Sequence, residues 1–194
     1  MKRPLIIILT LLALAVAANG QTPTYQPKSV SSPTPEPRLL TRPPLYIPSD
    51  TLTSISQVTD VTAKDGYFND LQSLIEVHKV QHLTSQYKFR GRDNVTPPEL
   101  NDLTSNGQIA VMSIANSRLI SPTKYKALFG RGCVGPMGKN GLLTEGEALG
   151  FVQCRFGTTD VKTSTPDKTA TRGRLSTFVN AAMGLWLKKL DAIK

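Results

Sequence analysis

The chain has 194 residues, with 23 Lys or Arg against 14 Asp or Glu and a net charge of +9. That length suits one domain plus a tail, and its two cysteines are too far apart in sequence to be a metal-site signature. The basic excess either suits anionic partners such as wall polymers, acidic polysaccharide or lipid headgroups, or serves solubility alone; charge does not decide between them.

Lys2 and Arg3 precede the uncharged apolar run "PLIIILTLLALAVA", and small residues follow before Gln21. This is the layout of a secretory signal peptide over residues 1–20, with an apolar run too short to span a bilayer comfortably. No other segment is apolar enough to cross a membrane, so attachment to one would come only through this segment if it stayed uncleaved. Its removal leaves about 174 residues at +7, since Lys2 and Arg3 leave with it, and predicts a protein of the periplasm or cell envelope.

Residues 21–50 are rich in Pro, Ser and Thr, and include Pro23, Pro27, Pro33, Pro35, Pro37, Pro43, Pro44 and Pro48. Proline fixes φ and removes a donor, and the segment has too little apolar surface for a core. A disordered, extended linker reaching up to ~3 Å per residue is the expectation.

The folded part, residues 51–194, is predicted to be mainly α. Tyr67, Leu71, Leu74, Ile75 and His78 fall on one helical face, with Asp65 as the expected N-cap. In "LTSQYKFRGRDN", Tyr87 and Phe89 alternate across a short extended segment or turn. A second helix opens at "TPPELNDL", where Thr96, Pro97 and Glu99 form a capping box with proline at the first helical position. The device returns at Thr144 and Glu147. It returns a third time at Thr171, with Arg174 in the glutamate's place. Leu175, Phe178, Val179, Ala182 and Trp186 then predict a final amphipathic helix. The spacings between these starts are unequal, so no regular solenoid is implied.

Export makes a bridge between Cys133 and Cys154 an option, one that would stabilise the fold by about 3 kcal/mol, but spacing says nothing about Cβ geometry. His78 and His82 could share a helix face as a zinc pair, yet no third ligand stands at supporting spacing, and no metal or other cofactor is expected. The chain has no nucleophile elbow, no His-Glu-x-x-His and no phosphate loop. The glycine-rich "GRGCVGPMGKNG" lacks a strand-to-helix setting, which leaves a catalytic Cys133 or Cys154 as the only enzyme hypothesis and a non-enzyme as the expectation. "KYKALFGRG" and "LWLKKLDAIK" mix lysines with apolar residues. In the second, Lys188 and Lys189 beside Leu187 and Leu190 read as snorkelling side chains. Export argues against nucleic acid as a partner.

Four stretches, "VTDV" (58–61), "LQSLIE" (71–76), "KFRGRD" (88–93) and "VTPPEL" (95–100), together resemble an S-layer homology unit. They are similar in flavour to units of cyanobacterial outer-envelope proteins. They match the family's Asp-Val opening, first helix, Phe-centred turn and the Thr-Arg-x-Glu start of its second helix. "TSTPDKTATRGRLSTFVNAAM" resembles the closing half of a unit. The clearest unit would span 57–115 and a degenerate second one about 116–194.

The resemblance implies small helical modules that bind cell-wall polysaccharide or peptidoglycan non-covalently, with the motif arginine on an acidic sugar substituent. On that pattern Arg172 is the ligand-binding residue, supported by Thr171, Arg174 and Lys168, because a cation beside free N–H donors at a helix start makes a carboxylate receptor. Three positions depart from the family: Pro97 replaces the first unit's arginine, Gly66 its aromatic residue, and Arg174 the last unit's glutamate. The alternative is an exported adaptor for envelope proteins that kept the scaffold and lost glycan binding.

Overall fold

The computed structural model describes residues 51–193; the signal segment and the proline-rich linker lie outside them. The described chain is mainly α-helical, and its only β pairings are four isolated bridges.

A 3-10 turn at Ile55–Gln57 leads to α1, Phe68–Gln72, which runs on into a single π turn, Ser73–Val77. Glu76 ties the two together by accepting from the Ile55 N–H at 2.9 Å and the Ser54 hydroxyl at 3.0 Å. The helix departs from the expected start. Asp65 does not cap it; its carboxylate instead accepts from the N–H and hydroxyl of Thr62, at 2.8 and 3.0 Å. A short polar side chain closing its own local turn outcompetes the helix cap three residues on. The left-handed backbone of Lys79 follows the end of the π turn, so His78 and His82 share no helix.

Helix α2, Pro97–Ser117, opens at the predicted capping box, where Glu99 Oε2 accepts from both the N–H and the hydroxyl of Thr96. A short α3, Pro122–Lys126, precedes a long loop and α4, Glu145–Phe156. Thr144 and Glu147 cap α4 reciprocally, as their spacing predicts. Helix α5, Arg172–Asp191, is the hub of the described helices and packs against α1, α2 and α4. All five apolar residues predicted for its stripe are buried, joined by Met183 and Leu190. Each large apolar side chain so placed stabilises the fold by up to about 1.5–3 kcal/mol.

Polar contacts fix the register between helices. From α5, Thr177 and Asn180 both donate to the carboxylate of Asp70 on α1, at 2.8 and 2.9 Å. Cys133 in the long loop is bonded to Cys154 on α4, with a Cα–Cα distance of 5.9 Å. No described helix is long and apolar enough to cross a membrane.

Candidate functional site

Three helices begin in one place. Each start is a buried apolar residue followed by threonine: Val95-Thr96, Leu143-Thr144 and Ala170-Thr171. Ala170 accepts from the Val95 N–H at 2.9 Å and donates to the Leu143 carbonyl at 2.8 Å, so the start of α5 lies between the other two. Burial of the three apolar residues and this backbone pairing draw the starts together.

The first backbone donors of α5 and α4 are satisfied by neighbouring loops and by the helices' own caps. Arg172 N–H donates to the Asp93 carbonyl at 2.9 Å, Gly173 N–H to the Gly91 carbonyl at 2.8 Å, and Arg174 N–H to the Thr171 hydroxyl at 3.3 Å. On α4, Glu145 and Gly146 donate to the carbonyls of Lys168 and Pro166. The free N–H donors expected at the start of α5 are therefore not free, because the loop between Phe89 and Asn94 supplies carbonyls where an anion would sit.

The two arginines of α5 reach outward to those neighbours. Arg172 donates to Glu99 Oε1 at 3.0 Å and to the carbonyls of Phe89 and Leu83 at 2.8 and 3.0 Å, and its guanidinium lies over the Phe89 ring at 5.3 Å. Arg174 donates to Glu145 Oε2 at 3.2 Å and lies over the Phe178 ring at 5.0 Å. The first position of α5 thus pairs with the third of α2, and the third position of α5 with the first of α4. A cation in the first turn opposes the helix dipole. Here each cation is held by a carboxylate that favours the first turn of the adjoining helix.

Both carboxyls sit below their ordinary value. Burial alone would raise Glu145, but hydrogen bonds from Thr163 and Thr165 and the Arg174 charge outweigh it. For Glu99, burial is again outweighed, by the hydrogen bonds from Thr96 and by Arg172. Of the four residues predicted to form the ligand site, Thr171, Arg172 and Arg174 meet at this junction. Lys168 stands exposed at its rim.

Beside the junction is an open cleft of about 400 Å³. Its walls include Asp60, Thr62, Asp65, Tyr67, Arg90 and Arg92, and its edge is formed by Gly91 and Asp93, whose carbonyls hold the start of α5. Asp60 is fixed by the N–H groups of Phe89 and Arg90 at 2.8 and 2.7 Å. Arg92 is 89% exposed and only loosely paired with Asp65 at 3.4 Å. Burial, then the charges of Asp65 and Asp60, push the Tyr67 phenol upward, so it remains a donor. Sequence reasoning used "KFRGRD" only as a turn and missed this cleft; the signal available was two arginines flanking a glycine within that turn.

Elsewhere the sequence candidates separate. His78 is partly buried and His82 exposed, and no group of three ligating side chains exists among the described residues. Both cysteines lie in the bridge and neither offers a thiolate. Compared with known proteins, the chain matches no family model, no curated protein and no solved structure.

Proposed function

We propose that the chain is an exported, non-catalytic module that associates with the cell envelope by binding wall polymer or peptidoglycan-linked acidic glycan. The observation that carries this reading is the cleft: two exposed guanidinium groups, fixed carboxylates and a protonated phenol line one concavity against the rigid junction of three helix starts. Carboxylate oxygens accept sugar hydroxyls, and Arg90 and Arg92 meet an acidic substituent with charge-assisted hydrogen bonds. In this reading Arg172 positions the loop that carries Arg90 and Arg92, through its bond to the Phe89 carbonyl, and Lys168 adds charge at the rim.

Co-sedimentation with purified wall sacculi tests it. The full chain pellets with sacculi, and the Arg90→Ala/Arg92→Ala double variant, folded by circular dichroism, loses about tenfold in affinity. Unchanged retention of that variant overturns the cleft.

A second reading, the adaptor that kept the scaffold and lost glycan recognition, is favoured by Arg172 and Arg174 being engaged by acceptors of the protein itself. Absence of binding by the full chain to sacculi retaining their secondary polymers selects it.

A further inference from the structure

Between residues 103 and 144 the chain carries Arg118, Lys124, Lys126, Arg131 and Lys139 and no aspartate or glutamate. In the fold other residues of this stretch, none of them these five cations, help to line a second cavity of about 400 Å³ that shares no lining residue with the cleft of Arg90 and Arg92. Gln108 and Met112 of α2, Phe129, Gly130 and Cys133 of the loop, and Arg155 of α4 line it.

Among the described residues three arginines are half-buried: Arg155, Arg172 and Arg174. The last two have carboxylate partners; Arg155 has none among the described residues. Its Nε and Nη2 donate to Gln108 Oε1, Nη2 also to the Ser105 hydroxyl at 3.2 Å, and the guanidinium lies over the Phe151 ring at 5.5 Å. Nη1 has no protein acceptor among the described residues. Taking a guanidinium partly out of water without a counter-charge is unfavourable, and here the group is also held in place by a neutral amide.

The rest of the cavity is equally fixed. The Cys133–Cys154 bridge and the Gly130 N–H, which donates to the Arg155 carbonyl, pin the loop to α4. A Cβ at residue 130 would stand 1.7 Å from the Cys154 carbonyl oxygen, so only glycine lets the loop approach. Phe129 stacks on the buried Trp186 at 4.9 Å between ring centroids.

We propose that this cavity binds a small organic carboxylate, with the anion on Arg155 Nη1 and the carbon body against Phe129 and Met112. A charged oxygen on a pre-oriented guanidinium and an apolar surface beside it are the two contacts such a ligand needs.

Titration of the full chain with phenylacetate, followed by two-dimensional NMR, tests the assignment. Saturable shifts are expected at Gly130, Gly132 and Arg155, about tenfold weaker with phenylacetamide, and absent in Arg155→Gln. Met112→Trp, which fills the apolar end and leaves Arg155 in place, also abolishes them and guards against Arg155→Gln failing to fold. The proposal is overturned by equal binding of the amide, by unaltered binding in either folded variant, by inorganic phosphate binding as tightly as phenylacetate, or by no response at about 50 mM ligand.

Discussion

Arg172 holds three acceptors from separate parts of the chain: Glu99, and the carbonyls of Phe89 and Leu83. Its truncation leaves the two carbonyls without that donor and Glu99 without its counter-charge. Arg172→Ala is therefore expected to lower unfolding free energy by about 2–4 kcal/mol in urea titration. Arg172→Lys, which keeps the charge but lacks the planar fork, is expected to recover less than half of the loss; full recovery would mean that charge alone matters. The pH dependence follows from Glu145, whose folded pKa lies below the ordinary 4.5. A depressed carboxyl contributes stability that is complete above the unfolded value and is lost as pH falls through the folded one. The stability difference between wild type and Glu145→Gln should accordingly be largest near neutrality and shrink below about pH 4.5. These partnerships were illegible in the sequence, because Leu83, Phe89 and Glu99 stand 89, 83 and 73 positions from Arg172. The arginines themselves were legible as an anomaly, two cations where a helix start disfavours them.

At the scale of elements, the capping boxes located the starts of α2 and α4 because a cap is local chemistry, written within four residues. The start of α1 was not readable in the same way, since Asp65 had a nearer use in the Thr62 turn. Nor could spacing reveal how closely α1 meets α5. A Cβ at Gly173 would lie 2.2 Å from the Tyr67 ring, and one at Gly91 equally close, so the ring occupies the space that two missing side chains leave. Gly173→Ala should destabilise by about 1–3 kcal/mol through this overlap. Combining it with Tyr67→Ala should be less harmful than the two separate effects added, a coupling that a double-mutant cycle measures; strict additivity would rule out the collision. The bridge between Cys133 and Cys154 joins residues 21 apart in sequence. Replacing both cysteines by serine, or reducing the native chain, should lower stability by about 3 kcal/mol and the melting temperature with it.

For the whole molecule, the resemblance divides the chain into units of 57–115 and about 116–194, while the packing joins them through α5. Its buried face serves α1 and α2 from one proposed unit and α4 from the other. Residues 51–118 expressed alone should therefore lack a cooperative thermal transition by circular dichroism; a sharp one would show that the first unit is autonomous. The helical class of the fold was legible from periodicity and caps, whereas the convergence of three helix starts was not, because it depends on the single residue Ala170 pairing backbone on both sides. Helix α5 follows α1, α2 and α4 in the chain, so it is made after all three of the helices it packs against. A nascent chain that has reached the middle of the domain has the apolar faces of those helices made before the face they close on, so compaction of the domain waits for α5. The order of manufacture thus keeps this domain open until the helix that its neighbours share is translated.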